Sequence, residues 1–322
     1  MHNYLFTIIV PCYNISQNGE KLVKMLVNER YLNYEVIFVD DCSKDDTYSL
    51  LDLYCKAYKN FKVFKPVVNG GPGVARNLGI ERATGEYIIF CDADDVFDID
   101  CLEKLESFIK EHNNLDMLVA PYILERGNSE LVVDEYIITK NEVNTLHVID
   151  ILRGNCAPWS KIFKKEIIQV NNIMFPSRRT GEDICFVVEY AKFISTVYKF
   201  SNTFYKYIMN ENSLTHSNEI NMNEETTFEV LIDNYRRFFP EIEIEKFVND
   251  HLLTMAKRMY ANEISNEQME KWFSKENERY PGWIYEIGFS KQSIYRKLIY
   301  LAMYFNSPIL IKILMGIRKR FY

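Results

Sequence analysis

The stretch "EYIIFCDADDVFD", residues 86–98, joins a run of apolar residues to a cluster of acids. Asp92, Asp94, Asp95 and Asp98 fall within seven positions, where like charges repel unless water screens them or a cation lies between them. The apolar run before them is typical of a strand that is buried on both faces. The stretch therefore predicts a core strand that ends in an acidic loop.

The same strand pattern recurs through the first 120 residues. Short runs rich in β-branched and aromatic residues alternate with segments whose apolar residues have helical spacing. This alternation predicts right-handed βαβ units, and hence an α/β fold with a mostly parallel sheet flanked by helices. The predicted strands are 5–10, 35–40, 61–65, 86–92 and 116–122, and the predicted helices lie near 20–31, 43–58, 73–83 and 101–112.

Two acidic groups end strands of this predicted sheet. Asp40 and Asp41 end the second strand, and Asp92 and Asp94, separated by Ala93, end the fourth. Because parallel strands end at one edge, where ligands bind, both groups are expected at the same edge. A helix cap is the ordinary alternative for any one of these acids. Two clusters together favour a ligand site, and two carboxylates around one small residue suit Mg²⁺ or Mn²⁺ bound with phosphate oxygens.

The composition is that of a globular protein, with 48% hydrophobic and 26% charged residues among 322. Residues 291–322 contain seven Lys and Arg and no acid, so residues 1–290, with 31 basic and 45 acidic residues, carry −14. An acidic body with a basic tail argues against a nucleic-acid partner. Seven scattered cysteines without a CxxC pair predict reduced thiols, and "MHNYLFTIIVPCYN" is interpreted as a first strand, not a signal peptide.

Beyond residue 122 the pattern changes. A hairpin is predicted around Gly127-Asn128, a helix at 141–154, a strand after the turn at 156–160, and a helix beginning near Glu182. Alternating strand character returns at 197–209, and the chain is predicted to be helical from about 221 onward.

Four blocks in matching order resemble family 2 glycosyltransferases. They are "TIIVPCYN" (7–14), "VDDCSKDDT" (39–47), "NGGPGVARNLGIERATGEYIIFCDADD" (69–95) and "PWSKIFKKE…TGEDICF" (158–186). The resemblance implies the GT-A fold and inverting transfer from a nucleotide sugar. It predicts a glycosyltransferase domain over 1–216, with a nucleotide-sugar half at 1–122 and an acceptor half at 123–216. A helical region, 217–322, with the tail 291–322, lies outside the resemblance.

The resemblance implies a nucleotide pocket in the first half of the chain. Pro11 and Asp40 would line the site of the base, where the Asp40 carboxylate accepts the N3–H of uracil. Asp41 lies beside Asp40 as a pocket residue or a support of the turn. Arg76 and Asn77 would face the nucleotide, with Arg76 on phosphate or stacked on the base. The alternative for Arg76 is a surface charge on its helix.

The resemblance also implies a metal and a sugar site. Asp94 would ligate Mn²⁺ or Mg²⁺, Asp92 would reach the sugar hydroxyls or the metal, and His216 would close over the diphosphate as a further ligand. Trp159 and Lys161 would contribute to the sugar site. The alternatives are a surface or core histidine and a buried core tryptophan.

The base is expected in "TGEDICF". An inverting displacement requires a base on the face of the sugar opposite the leaving group. By resemblance Asp183 takes that role, and Glu182 holds acceptor hydroxyls or orients the site. The alternative is that both are N-terminal helix acids favoured by the helix dipole.

These residues lead to one functional interpretation and two rivals. The chain is predicted to move a hexose or N-acetylhexosamine from a UDP-sugar to a saccharide or lipid-linked saccharide, in the synthesis of bacterial surface polysaccharide. The rivals are a nucleotidyltransferase and a non-catalytic nucleotide-sugar-binding scaffold. The basic tail predicts a cytoplasmic protein bound peripherally to the anionic inner face of the membrane. Packing of the tail on the protein itself, or a homodimer, is left open.

Overall fold

The computed structural model of the chain describes residues 4–112, 115–135, 145–146, 148, 151, 155–177, 182–209, 253, 256, 259–260, 263–279 and 294–320, with the backbone alone for 145, 279 and 317–320. The chain divides into two compact units, Met1–Ser213 and Leu214–Tyr322. The domain boundary predicted at 216/217 lies outside the described residues and stays a prediction.

The first unit contains twelve strands and six helices within the described residues. Strands β1–β12 are Phe6–Cys12, Tyr34–Asp40, Phe61–Phe64, Tyr87–Phe90, Val96–Phe97, Met117–Val119, Tyr122–Arg126, Ser129–Val133, Thr145–Leu146, Lys161–Lys164, Val197–Lys199 and Tyr205–Ile208. Helices α1–α6 are Gly19–Met25, Thr47–Ala57, Gly71–Arg82, Leu102–Glu111, Lys165–Val170 and Glu182–Ala191, and a short 3₁₀ helix, Ile99–Cys101, precedes α4.

Eight strands form the main sheet, in the order β3-β2-β1-β4-β10-β6-β11-β9. Strands β1 to β4 are mutually parallel where they pair, which confirms the predicted βαβ half. Strand β10 is antiparallel to both of its neighbours, β4 and β6. A second sheet, in the order β5-β12-β7-β8, contains the predicted hairpin as the antiparallel pair β7 and β8.

The core lies on both faces of the main sheet. Successive residues of β1 point to opposite sides, so Ile8 packs in one hydrophobic cluster and Ile9 in the other. On β2, Phe38 and Val39 divide between the same two clusters. Burial on both faces explains why these strands are continuous apolar runs instead of alternating ones.

The helix predicted at 141–154 is confirmed at two described residues, Val148 and Ile151, and wrong at Thr145–Leu146. Within 141–154, residues Thr145–Leu146 form β9, which pairs antiparallel with β11. Thr145 is β-branched and suits a strand, and the free edge of β11 supplies the hydrogen-bonding partner. At Thr145–Leu146, pairing with β11 therefore determined the secondary structure, and the helical spacing of the apolar residues did not.

The second unit is helical where the structure describes it, as predicted. Its helices are α7 (Asn266–Arg279), α8 (Ile294–Tyr304) and α9 (Pro308–Arg320). All three contact one another and share a hydrophobic cluster built around Trp272, Tyr300 and Met315. Among the described residues, no helix combines the length and the apolar character needed to cross a membrane.

Candidate active site

The strand register brings the two acidic groups to one edge of the sheet. Ile9 of β1 pairs with Ile37 of β2 on one side and with Phe90 of β4 on the other. Asp40 lies three residues beyond Ile37, and Asp92 lies two residues beyond Phe90. Since the three strands run parallel, both acids lie at their carboxyl edge, as the sequence predicted.

Asp40 ends β2 beside β1, where Pro11 is a partly exposed strand residue. Its side chain is fully buried, and its Oδ1 accepts a hydrogen bond from the Ser43 N–H at 3.1 Å. Its Oδ2 lies 3.3 Å from Lys65 Nζ but accepts no hydrogen bond. A buried carboxylate oxygen without a donor is costly. The Lys65 ammonium offsets part of this cost by its charge, but no hydrogen bond to Oδ2 completes the pair.

Asp41 supports the glycine-rich loop. Its carboxylate accepts the N–H of Gly70 at 2.9 Å and of Gly71 at 2.7 Å, and its carbonyl accepts Asn69 Nδ2 at 2.6 Å. Gly71 has φ +80°, a conformation that L side chains rarely adopt. Of the two predicted roles of Asp41, these contacts favour the support of the turn.

Arg76 of α3 connects two motifs that are distant in the sequence. Its Nη2 donates to Asp92 Oδ1 at 2.8 Å, and its Nη1 donates to Glu182 Oε1 at 3.2 Å. The guanidinium also lies over the Phe175 ring, 5.3 Å from its centroid. Burial excludes the surface-charge alternative, and the predicted contact of Arg76 with phosphate or base stays a prediction.

The charges around Arg76 stabilise its cationic form. Burial alone would lower the pKa of Arg76, but the carboxylates of Asp92, Asp183 and Glu182 outweigh burial and raise it. The guanidinium in turn limits the repulsion among those acids. A permanent positive charge thus holds the two acidic motifs together.

Asn77, the neighbour of Arg76, has a structural role. Its Nδ2 donates to the Phe175 carbonyl and its Oδ1 accepts the Phe175 N–H, both at 2.8 Å. Phe175 stacks on Phe186 of α6 with ring centroids 4.0 Å apart. The reciprocal pair links α3 to the segment before α6, and the predicted contact of Asn77 with the nucleotide stays a prediction.

Glu182 and Asp183 begin α6. Burial and the neighbouring Asp183 raise the pKa of Glu182, against the effect of Arg76. Burial and Asp92 raise the pKa of Asp183, again opposed by Arg76. A carboxylate with a raised pKa is a better proton acceptor than an ordinary aspartate. Both residues thus have the electrostatic setting of a general base.

The four acids of the stretch 86–98 have different environments. Asp92 is partly exposed and Asp94 is exposed at the sheet edge. Asp95 is buried, where burial and Asp92 raise its pKa to about 8. Asp98 accepts the Asp100 N–H at 3.2 Å and caps the 3₁₀ helix. The first two acids of the stretch are therefore accessible to a ligand, and the last two have structural roles.

A hydroxyl from the second sheet positions the backbone of this motif. Tyr205 of β12 accepts the Asp92 N–H at 3.1 Å and donates to Asp95 Oδ2 at 2.5 Å. Asp95 Oδ1 accepts the Ile208 N–H at 2.8 Å. Tyr205 was not predicted as a site residue, because only the pairing of β12 with β5 brings it there.

Trp159 and Lys161 are packed inside the protein. Trp159 stacks on Tyr205 and Tyr207, with centroids 5.1 and 5.3 Å away, and only 7% of its surface is exposed. Lys161 Nζ donates to the carbonyls of Asn155 and Ala157 at 2.7 and 2.8 Å, and burial lowers its pKa to about 8. These placements favour core and loop-supporting roles over the predicted sugar contacts.

The donor atoms at the sheet edge fit a divalent cation that arrives with a nucleotide. Asp92 and Asp94 offer hard carboxylate oxygens, and Mg²⁺ in proteins takes one or two carboxylates together with phosphate oxygens and water. Among the described residues, no group of three or more His, Cys, Asp and Glu side chains forms a complete metal site. His216, the third predicted ligand, lies outside the described residues.

Comparison with solved structures shows the fold. The first 349 residues of Staphylococcus aureus TarS, crystallised in complex with UDP-GlcNAc, superpose with a TM-score of 0.75 at 20% identity, covering 98% of this chain and 91% of that one. The fold class predicted from the sequence, GT-A with a helical C-terminal region, is confirmed.

Curated relatives share part of the sequence. A poly(ribitol-phosphate) β-N-acetylglucosaminyltransferase of S. aureus, TarS, is 31% identical over 189 residues, which are 57% of this chain and 32% of the relative. A putative teichuronic acid biosynthesis glycosyltransferase of Bacillus subtilis, TuaG, is 28% identical over 66% of this chain and 81% of its own length. The chain thus spans about a third of TarS.

The sequence model that describes glycosyl transferase family 2 matches residues 7–170. The match begins in β1 and ends with α5, so it includes the strand-end acids Asp40 and Asp92 as well as Arg76. It covers half of the chain. The chain belongs to glycosyl transferase family 2.

Proposed function

We propose that the chain is a metal-dependent inverting glycosyltransferase that moves a hexose or N-acetylhexosamine from a UDP-sugar to a saccharide or lipid-linked saccharide. One observation carries the proposal. Arg76 binds Asp92 of the strand-end motif and Glu182 of the helix motif, at 2.8 and 3.2 Å. Asp183 directly follows Glu182 and also interacts electrostatically with Arg76, so the proposed donor-binding acid and the candidate base belong to one charge network.

The nucleotide end of the proposed site is at Asp40. Its Oδ2, which is buried and ion-paired with Lys65 at 3.3 Å but accepts no hydrogen bond, would accept the N3–H of uracil. Cytosine has no N–H at this position, so the contact selects a uridine nucleotide. Asp41 keeps the adjacent loop in place through Gly70 and Gly71.

Transfer requires one displacement at the anomeric carbon. Asp183 takes the proton from the acceptor hydroxyl as its oxygen bonds to the sugar, and the bond from that carbon to the diphosphate breaks, releasing UDP with inversion. A divalent cation held by Asp92 and Asp94 would neutralise the charge that develops on the diphosphate. Arg76 keeps Glu182 and Asp92 in position throughout.

The names of the relatives support the proposed acceptor class and cellular role. TarS and a Bacillus spizizenii relative, 33% identical over 188 residues, are named as transferases that modify poly(ribitol phosphate). TuaG is named for teichuronic acid biosynthesis. These names support a role of this chain in the synthesis of a bacterial surface polysaccharide.

Calorimetry combined with a UDP-release assay tests this function. Wild-type protein should bind UDP more tightly with Mn²⁺ than with EDTA, and should release UDP from a UDP-sugar. Asp40→Asn presents an amide in place of a carboxylate and should weaken UDP binding more than Asp46→Asn, a control at the N-terminus of α2. Binding without turnover on any UDP-sugar would favour the scaffold rival, and equal binding of UDP and CDP would contradict the role of Asp40.

A further inference from the structure

Helix α8 exposes an apolar stripe. Ile294 and Leu298 of α8 are 78% and 43% exposed, and Phe305, directly after the helix, is 72% exposed. The Phe305 N–H donates to the Leu301 carbonyl at 3.0 Å, so the spacing of four and seven residues places all three side chains on one side. The opposite side of α8 is buried in the hydrophobic cluster of the second unit, through Ile299, Tyr300, Ala302 and Met303. The stripe is therefore a second apolar face, in addition to the one that stabilises the unit.

Helix α9 repeats this arrangement. Ile309, Leu310 and Ile313 are 62%, 41% and 53% exposed and lie within one turn of one another. Its buried side contributes Ile311, Leu314 and Met315 to the same hydrophobic cluster. Two consecutive helices thus each bury one apolar side and expose another.

Helix α7 fixes the turn between these helices. Asn277 Nδ2 donates to the carbonyls of Met303 and Tyr304 and to Asn306 Oδ1, at 3.3, 3.1 and 2.8 Å. Asn306, with φ 50°, donates back to Ser274 Oγ at 3.1 Å. These hydrogen bonds from α7 fix the turn between α8 and α9. The exposed apolar side chains therefore belong to an ordered helical hairpin.

The charge of this segment identifies the partner. Residues 291–322 carry seven basic residues and no acid, whereas residues 1–290 carry −14. Six exposed large apolar side chains in a basic helical hairpin have the composition of an amphipathic element that lies in the interface of an anionic bilayer. A symmetric contact between two copies would bring the two basic segments together, which like-charge repulsion opposes.

We propose that the hairpin α8–α9 binds the surface of an anionic phospholipid bilayer. The stripes formed by Ile294, Leu298, Phe305, Ile309, Leu310 and Ile313 enter the headgroup region, and the net positive charge of residues 291–322 is attracted to the lipid phosphates. The hairpin lies along the surface because none of the described helices is long and apolar enough to cross. This proposal is independent of the reaction that the first unit catalyses.

Vesicle flotation of the full chain tests the proposal. The variant Ile294→Ser/Phe305→Ser/Ile309→Ser removes three exposed side chains, and Leu53→Ser/Leu131→Ser/Val170→Ser removes three of similar exposure from the first unit. Binding to phosphatidylglycerol-containing vesicles should fall at least tenfold for the hairpin variant and less than twofold for the control. Wild type should bind pure phosphatidylcholine vesicles at least tenfold more weakly.

Three results would overturn the proposal. The first is equal vesicle binding by the hairpin variant and wild type. The second is no binding of wild type to anionic vesicles. The third is a wild type that is dimeric in light scattering and a hairpin variant that is monomeric, with vesicle binding unchanged. If the triple variant has a lowered melting temperature, the single substitution Phe305→Ser replaces it in the test. This substitution is expected to weaken vesicle binding about threefold, and unchanged binding would overturn the proposal.

Discussion

Removing the guanidinium of Arg76 should destabilise the first unit strongly. Arg76 is buried and pairs with Asp92 at 2.8 Å and with Glu182 at 3.2 Å, where the Glu182 side chain is itself only 7% exposed. Arg76→Ala leaves these acids, and the nearby Asp183, without their cation. Breaking a buried ion pair from one side costs about 3–5 kcal/mol, much of it from the charge left behind.

Urea unfolding monitored by circular dichroism measures this cost. With a slope of about 3 kcal/mol per molar urea, the midpoint for Arg76→Ala should fall by about 1–2 M. Arg82→Ala is the matched control on the same helix, because Arg82 is half exposed and pairs with Glu81 at 3.4 Å. It should cost less than about 1 kcal/mol. A loss below 1 kcal/mol for Arg76→Ala as well would refute the reasoning that Arg76 holds the two motifs together.

Three further substitutions test the site. Asp94→Ala should abolish transfer and weaken UDP-sugar binding in Mn²⁺ far more than in EDTA; undiminished wild-type transfer in EDTA would exclude a required cation. Asp183→Asn should lower kcat by about 10²–10⁴ while donor binding survives. Since the base acts ionised and its pKa is raised, wild-type kcat should decline on acidification at a higher pH than an ordinary aspartate would give. Tyr205→Phe should destabilise the protein by about 1–3 kcal/mol, because the buried Asp95 loses a donor, and Tyr207→Phe should not.

The fold of the first unit follows largely from local patterns. Each run that was interpreted as a strand before residue 122 forms one. A strand that is buried on both faces is apolar at nearly every position, so it is recognised as a continuous apolar run in the sequence. The position of Asp40 and Asp92 at one edge follows from parallel pairing alone. The helix predicted around Thr145 was wrong there because pairing with β11 is a tertiary effect.

The roles of individual site residues were harder to predict than their location. Arg76 and Glu182 are 106 positions apart, and no local pattern shows that a helix arginine will bridge them. Trp159 lies between tyrosines of β12, so its burial depends on a sheet that the sequence did not predict as a unit. Residues whose function depends on contacts between elements are those that periodicity describes least well.

The most direct test of the account is UDP release by the purified chain in Mn²⁺, with a panel of UDP-sugars and an equal panel of GDP-sugars. We expect turnover with at least one UDP-sugar, none with GDP-sugars, and loss of that turnover in Asp183→Asn with UDP affinity retained. Turnover that is equal for both panels, or unchanged in Asp183→Asn, would contradict it.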